Sequence, residues 1–334
     1  MPWPNDAVSN SPSSATGRRG SAAAGVKHKP PTRLSRFLAP RYWPTWLGLG
    51  LLRLALLLPY PAMLSLGRGL GTLLYRLVGS RRHVASVNIH LCFPELDDTA
   101  RQRLVKESFV AAATSLFEGV LSWWASDARL KRLYRIEGLE HLEAARSVGR
   151  GVILLGGHYT TLEISGRFLA YHVEGLQPIY KPARNKLFEA VMANSRKRLF
   201  DDLLPSADMR TIVRNLKKGK VVWYAPDQDF GRERSVFAPF FGVPTATLIS
   251  TARLAKLSGA PVVPYYSERL PGNDGFLLRL APALENFPSG DDLDDATRVN
   301  QVIEQQVRKV PAQYLWLHKR FKTRPEGEAD VYRR

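Results

Sequence analysis

One segment near the middle of the chain constrains the fold most, because it places polar groups directly after a buried strand. Val152–Leu155 is a short run of β-branched and leucine residues closed by two glycines, which is typical of a strand that ends at a sheet edge. His158 follows in the exit loop. Thr160, with Glu163 three residues later, begins a helical pattern with the spacing of a capping box. The segment therefore predicts a strand, a loop and a helix in succession.

His158 and Glu163 have two interpretations, a catalytic pair or a residue of the loop beside a capped helix. A histidine next to a carboxylate is the usual arrangement of a general base and its orienting partner. Positions five apart on an ideal helix are about 140° out of register, so the two side chains meet only if His158 folds back over the first turn. The alternative gives Glu163 a structural role in the capping box. The spacing permits both.

The remainder of the body alternates short apolar runs with helical stretches. Residues 221–225, 261–266 and 277–280 indicate strands, and residues 99–124, 208–218 and 298–310 have helical spacing. Strands that alternate with helices predict an α/β fold, with a mainly parallel sheet flanked by helices. Ligands bind such sheets outside the carboxyl ends of the strands. Both His158 and a second polar cluster, residues 226–229, fall at such ends.

Other catalytic arrangements lack residues that they need. The glycines before His158 resemble a phosphate-binding loop, but His158 stands where a lysine would be required. The Gly-x-Ser-x-Gly motif of serine hydrolases is absent from the sequence. The chain has one cysteine, Cys92, and the spacing of His141, His158 and His172 does not suit zinc. We therefore predict chemistry that uses neither a metal nor a cofactor.

The charge and the N-terminal region bear on partners. A formal net charge of +18 indicates anionic partners, whether nucleic acid, acidic lipid head groups or an acidic carrier protein. Residues 1–36 have the composition of a disordered basic arm. Residues 37–67 form a membrane-associated apolar segment, interrupted by Arg53, Pro59 and Pro61. We expect a membrane-anchor helix that enters one leaflet or spans marginally, because a central arginine costs about 2.5 to 3.5 kcal/mol. A buried core helix is the alternative.

The His-x-x-x-x-Glu spacing after a strand resembles the signature of the glycerolipid acyltransferase superfamily. Four longer segments, residues 41–48, 88–95, 221–229 and 316–327, resemble the late acyltransferases of lipid A biosynthesis. The resemblance covers residues 37–327, which implies an acyltransferase domain over residues 68–327 and a C-terminal tail over residues 328–334.

The resemblance implies a reaction and its partners. The reaction is transfer of a fatty acyl chain, a lauroyl chain in particular, from acyl carrier protein to the hydroxyl of a hydroxyacyl chain on a Kdo-bearing lipid A precursor. The expected place is the cytoplasmic face of the cell inner membrane, among inner membrane lipids and without nucleic acid. His158 is then the general base, and Glu163 orients it. Open alternatives are another chain length or glycolipid acceptor, or a non-catalytic basic protein that binds membranes or nucleic acid.

The same resemblance suggests residues that bind the substrates. Lys181 stands in the family's second block, where arginine is common, and keeps the charge without a two-pronged guanidinium. Asp227 and Gln228 match the third block. Arg320 and Arg324 belong to a basic run that follows apolar residues 314–317, so we expect them where the body meets the membrane surface. The predicted substrate-binding residues, including two arginines near the mouth of the site, are Lys181, Arg184, Asp227, Gln228, Arg234, Arg320 and Arg324.

Overall fold

A computed structural model describes residues 31–333, so residues 1–30 of the predicted arm lie outside the described part of the chain. The described part begins with two short 3-10 helices, Leu34–Phe37 and Pro40–Tyr42. The α-helices that follow are α1 Trp43–Ala55, α2 Tyr60–Leu77, α3 Gly79–Cys92, α4 Asp98–Trp124, α5 Asp127–Leu130, α6 Leu139–Arg146, α7 Leu162–Leu169, α8 Lys186–Arg196, α9 Met209–Lys217, α10 Ser250–Ser258 and α11 Asp292–Lys309. The strands are β1 Tyr134–Glu137, β2 Val152–Leu155, β3 Leu176–Tyr180, β4 Leu204–Pro205, β5 Val221–Tyr224, β6 Ser235–Phe240, β7 Val243–Leu248, β8 Val262–Arg269 and β9 Phe276–Leu280.

The central sheet has the strand order β1-β9-β8-β2-β5-β3-β4. Neighbouring strands run parallel except for β8 and β9, which are antiparallel. The four residues of β2 are buried, as the run of apolar residues at 152–155 predicts for a strand covered on both faces. The predicted α/β class with a mainly parallel sheet is therefore confirmed. The β6–β7 hairpin forms a separate two-stranded sheet.

Helices α2 and α4 pack closely on one side of the sheet because glycines face the contact. A Cβ atom on Gly71 would lie 2.4 Å from Val110 Cα, and one on Gly67 would lie 2.5 Å from Thr114 Oγ1. Larger residues at either position would force the helices apart. The 27-residue α4 is preceded by the N-cap residue Asp97, whose side chain accepts a hydrogen bond from Ala100 N at 2.7 Å. This long helix carries residues from the N-terminal layer to the candidate site.

The predicted anchor segment, residues 37–67, is divided between α1 and the first turns of α2, with Pro59 between them. Over the described residues, no helix combines the length and the apolar character that crossing a bilayer requires, so a spanning anchor helix is not supported. One face of α1 is nevertheless exposed and apolar: Trp43, Leu47, Leu51 and Leu54 are 60–66% accessible. These positions recur at helical spacing and lie on the side of α1 that faces away from the body.

The C-terminal segment, residues 310–333, returns to the core. Trp316 and Phe321 are fully buried, and the Asn88 side-chain amide donates to the carbonyls of Trp316 at 2.7 Å and His318 at 2.8 Å. Tyr332, within the predicted tail, is also buried and donates its hydroxyl hydrogen to Asn88 Oδ1 at 2.5 Å. These contacts hold the segment against α3 and beside the ends of the central strands.

Candidate active site

The candidate site lies where β2 and β5 end. These strands are adjacent and parallel, with Leu155 opposite Tyr224, so the residues that follow them come to the same edge of the sheet. His158 follows β2 and Asp227 follows β5. His158 Nδ1 lies 2.5 Å from Asp227 Oδ1, and the His158 backbone N–H donates to Asp227 Oδ2 at 2.8 Å. The pair is 69 residues apart in sequence and is assembled by the strand order.

Asp227 is ionised, and this fixes which nitrogen of His158 carries the proton. Burial raises the pKa of Asp227, but the nearby His158, its side-chain and backbone hydrogen bonds and the Arg320 charge outweigh burial and lower that pKa to about 2. An ionised carboxylate can only accept hydrogen bonds, so the Nδ1 nitrogen of His158 must donate. The Nε2 nitrogen of the neutral ring is therefore left with a free lone pair.

Two residues of the C-terminal segment complete the surroundings of Asp227. Tyr314 lies close to the Asp227 carboxylate, and burial together with that charge raises the pKa of Tyr314 well above its usual range. The Arg320 side chain is buried nearby and donates to the carbonyl of Ala246 at 2.9 Å. A buried cation within the field of Asp227 favours the ionised carboxylate. The C-terminal segment thus supports the electrostatics of the pair.

A cavity of about 330 Å³ opens beside His158. Its polar lining includes His158, Glu163, Lys181, Arg196 and Gln228. The remaining wall is mostly hydrocarbon, contributed by Leu162, Leu169, Leu176, Pro178, Ile179, Met192, Phe200 and the rings of Tyr180 and Trp223. An elongated apolar ligand with a polar end suits such a lining, because hydrocarbon gains by leaving water while the polar end meets the charged groups.

Glu163 does not contact His158, so the predicted pairing of these two residues is wrong. Glu163 lies at the start of α7 and accepts from Trp123 Nε1 at 2.6 Å and from Arg196 Nε at 3.0 Å and Nη2 at 2.5 Å. The physical reason is the register of the helix, which points Glu163 toward α4 and α8 while His158 lies on the loop beside β5. The capping box expected between Thr160 and Glu163 is also not found, because Thr160 Oγ1 has no hydrogen-bond partner among the described residues and the N-cap residue, Thr161, makes no side-chain cap bond.

The structure adds groups that sequence reasoning did not assign. Trp123, the penultimate residue of α4, and Tyr314 were missed, since aromatic residues in apolar surroundings give no separate signal. Arg196 is one of several arginines near the predicted site, and its partner was not predicted: it forms a two-pronged ion pair with Glu163 on the cavity wall. A polar residue at a predicted strand end was the one signal that did identify a true partner, Asp227.

The predicted substrate-binding residues divide into three groups. Lys181 and Gln228 line the cavity with His158, whereas Arg184 and Arg234 are exposed and do not line it. Arg320 is 1% exposed, so the expectation that it lies at a membrane surface is wrong; its guanidinium bonds to protein groups in the interior. The Arg324 guanidinium also bonds to protein groups, since it donates to the Glu328 carboxylate and to the Pro244 carbonyl. Asp227 binds His158 instead of facing the cavity wall.

Residues 31–333 contain no cluster of three or more histidine, cysteine or carboxylate side chains that could hold an ion. The polar groups at the cavity are His158, hydrogen-bonded to the Asp227 carboxylate, and the neighbouring Glu163–Arg196 ion pair. Together they can remove a proton from a ligand group beside His158 Nε2.

Comparison with known proteins shows the family to which the chain belongs. The family model for bacterial lipid A biosynthesis acyltransferases matches residues 31–323. Among the relatives, a lipid A biosynthesis lauroyltransferase of Escherichia coli (strain K12) is 39% identical over 306 residues, which are 90% of this chain and 100% of the relative. A lipid A biosynthesis palmitoleoyltransferase of the same organism is 38% identical over 305 residues, which are 91% of this chain and 99% of the relative. A lipid A biosynthesis myristoyltransferase of that organism is 31% identical over 307 residues, which are 89% of this chain and 93% of the relative. The chain therefore belongs to the bacterial lipid A biosynthesis acyltransferase family and is an acyltransferase.

Proposed function

We propose that this chain transfers a fatty acyl group from an acyl carrier protein thioester to the hydroxyl of a hydroxyacyl chain on a Kdo-bearing lipid A precursor. The observation that carries the proposal is the His158–Asp227 pair, which leaves Nε2 of His158 free at one end of an apolar cavity. A free imidazole nitrogen beside a hydrocarbon pocket is what transfer of a fatty chain to an alcohol requires. The family supports the acyl transfer, and the geometry supports the role of His158.

The chemistry proceeds by direct attack. An alkyl hydroxyl is a weak nucleophile, so His158 Nε2 removes its proton as the oxygen attacks the thioester carbonyl. Asp227 holds the ring in the correct tautomer and stabilises the imidazolium that forms. The tetrahedral intermediate then collapses, the carbon–sulfur bond breaks, and the thiolate of the carrier takes the proton from His158. Neither a serine nor a cysteine intermediate is needed.

Glu163 contributes to this reaction as a positioning residue. It neutralises Arg196 and accepts from Trp123, so three side chains from α4, α7 and α8 are joined at the cavity wall. A rigid wall keeps the reacting chain in one orientation beside His158, and small displacements of reacting atoms cost large factors in rate. Lys181 and Gln228, at the same cavity, supply donors for the polar end of a substrate.

The donor chain is proposed to be lauroyl. The relatives include transferases named for lauroyl, palmitoleoyl and myristoyl groups, so the choice depends on the length of the apolar cavity. One methylene is worth about 1 to 3 kcal/mol of discrimination in such a pocket. A panel of saturated and monounsaturated donors, compared by kcat/KM, measures this preference. A maximum at the lauroyl chain supports the assignment, and a maximum at a longer chain replaces it.

We also propose that α1 lies in the cytoplasmic leaflet of the inner membrane without crossing it. The support is the exposed apolar face of Trp43, Leu47, Leu51 and Leu54, which in water leaves four large side chains unburied. Replacing Leu47, Leu51 and Leu54 by glutamine should move the protein from the membrane fraction to the soluble fraction. High salt should not release the unaltered protein, because apolar burial is not screened. Complete release by salt would show an association held by charge alone.

The decisive experiment is an assay with purified full-length protein. The protein is incubated with lauroyl-loaded acyl carrier protein and a Kdo-bearing lipid A precursor, and the product is weighed by mass spectrometry. A mass gain of one lauroyl chain that depends on His158 supports the proposal. Omission of Kdo from the acceptor, and replacement of the carrier thioester by a coenzyme A thioester, identify which partner features are needed. Absence of any product with intact donors would refute the proposal.

A further inference from the structure

A second cavity, of about 580 Å³, lies behind the wall of the catalytic one. The two share α7 as a partition: Gly166 and Leu169 face the catalytic cavity, whereas Arg167 and Ala170 face the second. The segment after α8 also separates the two cavities, because Phe200 lines the cavity beside His158 whereas residues 198 and 199 line the second cavity. Of the side chains that line this second space, the mechanism described above uses only Trp123, whose indole N–H donates to Glu163.

Three arginines line the second cavity, and two of them carry uncompensated charge. Arg167 is neutralised internally, because it donates to Asp127 Oδ1 at 2.5 Å and to the Ser122 carbonyl at 2.7 Å. The Arg53 side chain makes no hydrogen bond or ion pair with a described residue, and its guanidinium carbon lies 5.0 Å from the centroid of the Trp124 ring. Arg198 makes no side-chain hydrogen bond or ion pair with any described residue. Two free guanidinium groups from different elements thus converge on one concave space.

The same two arginines border a third, apolar cavity of about 280 Å³. Arg53, Trp124 and Arg198 line both spaces. Leu34, Trp46, Leu49 and Val191 provide the walls of the apolar side. A polar cavity and an apolar cavity that meet at two cations have the chemistry of an amphiphile with an anionic head and a hydrocarbon chain.

We propose that Arg53 and Arg198 bind the phosphate of a lipid headgroup, with a hydrocarbon chain of that lipid in the adjoining apolar cavity. Guanidinium groups suit phosphate because they offer paired donors in a planar fork. Arg53 lies on α1, the helix that also carries the exposed residues Leu47, Leu51 and Leu54, so the site lies on the helix that we propose to contact the membrane. The lipid is the phosphorylated acceptor; this part of the inference rests on the proposed function.

The kinetic test uses Arg53→Gln, Arg198→Gln and the double variant, with Arg210→Gln as the matched control. Arg210 is exposed and lies on α9, away from both cavities. We expect each site variant to raise the apparent KM for the lipid acceptor about tenfold, which corresponds to about 1.4 kcal/mol, and to leave the KM for the acyl donor unchanged. Arg210→Gln should change neither constant. An acceptor KM that is unchanged in the double variant overturns the assignment to the acceptor.

A second acceptor identifies the phosphate. An acceptor from which one phosphate has been removed should bind the unaltered protein as weakly as the intact acceptor binds the double variant. The double variant should lose nothing further with this acceptor, because the partner of its missing arginines is already gone. If removal of the phosphate and removal of the two arginines each weaken acceptor binding and the two factors multiply, the arginines act elsewhere and the assignment is refuted.

Direct binding keeps the site testable even if acyl transfer fails. Calorimetry of the full-length protein with dihexanoylphosphatidic acid should show binding that the double variant loses by at least about tenfold, whereas Arg210→Gln retains it. Dihexanoylphosphatidylcholine should bind far more weakly, since its phosphate is a diester whose single negative charge is balanced by choline. Glycerol 3-phosphate should also bind far more weakly, since it lacks the hydrocarbon chains. Equal binding of glycerol 3-phosphate would reduce the site to one for free phosphate. Equal affinity of the double variant for the phosphatidic acid would refute the site.

Discussion

Two pairs of polar side chains lie at the cavity beside His158, and the fold assembles them by different means. Asp227 and His158 lie at the ends of two adjacent strands whose register is fixed by backbone hydrogen bonds, and the Asp227 side chain is 1% exposed. Glu163 and Arg196 lie on two helices, and their side chains are 19% and 13% exposed. The strand pair has little freedom to move because its backbone is part of the sheet, whereas the helix pair depends on packing. We infer that Asp227 orients His158, and that the Glu163–Arg196 pair shapes the wall of the cavity.

The largest effect should come from the base. His158→Ala should lower acyl transfer by about 10²- to 10⁴-fold, the usual cost of losing a general base, while the protein stays folded. His172→Ala is the matched control, because His172 is exposed and bonds only Tyr134 at 2.8 Å. Turnover is measured with saturating donor, and folding by thermal denaturation. Near-normal turnover of His158→Ala would exclude this residue as the base.

The next effect should come from the orienting carboxylate. Asp227→Asn keeps the size of the side chain but replaces an acceptor by an amide, so His158 can turn to the wrong tautomer and its imidazolium loses the balancing charge. We expect kcat to fall by about 10²-fold or more with a smaller change in KM. Asp229→Asn provides a comparison, since the Asp229 carboxylate bonds Thr323 and not His158. An equal fall in both variants would assign the effect to the loop as a whole.

A smaller effect on turnover, with a larger one on stability, should come from the helix pair. Glu163→Gln leaves the Arg196 guanidinium without its counter-charge, at a cost of about 3 to 5 kcal/mol for a fully buried pair and less at this partial exposure. Glu163→Gln combined with Arg196→Gln should recover part of the melting temperature, because neither charge is then unpaired. Turnover should recover with it if Glu163 acts by position. Recovered stability without recovered kcat would give Glu163 a direct role in the chemistry.

The smallest effects should appear in the pH dependence of stability. Burial, with the nearby His158 and Arg320 charges, lowers the pKa of His318 below its usual 6.5, so its stabilising contribution is present above pH 6.5 and is lost as the pH falls below it. Asp227 has a lowered pKa of about 2 against 3.8, so its contribution is lost only between pH 3.8 and about 2. The free energy of unfolding, measured by urea titration at several pH values, should therefore change less with pH near pH 6 in His318→Gln than in the unaltered protein. An equal change of the unfolding free energy with pH in the two proteins would exclude His318 as the source.

Elements with a clear period could be predicted from the sequence. The helix expected over residues 99–124 is α4, Asp98–Trp124, and the strands expected near residues 221, 261 and 277 are β5, β8 and β9. The antiparallel pairing of β8 with β9 and the β6–β7 hairpin could not be predicted, because pairing depends on contacts between distant segments. Residues 235–248 also contain Pro239 and Pro244, which weaken the signal of a strand.

The site shows the same limit. His158 and Asp227 both follow predicted strands, and this placement is confirmed, but the predicted partner of His158 was the nearer carboxylate, Glu163. Local spacing favoured Glu163, whereas the adjacent position of β2 and β5 determines the observed contact. Arg320 was misplaced for a related reason. A basic run near a chain end resembles a solvated surface, and only the folded chain shows that Arg320 enters the core beside Asp227.

The position of the C-terminal segment sets the order in which the enzyme becomes active during its synthesis. His158 and Asp227 leave the ribosome well before Tyr314 and Thr323, which contact Asp227 and Asp229 respectively. A nascent chain that has completed the central strands therefore still lacks the groups that hold the 226–229 loop. Acyl transfer should begin only after residues near 323 have emerged, so a partly made chain would not consume acyl donors.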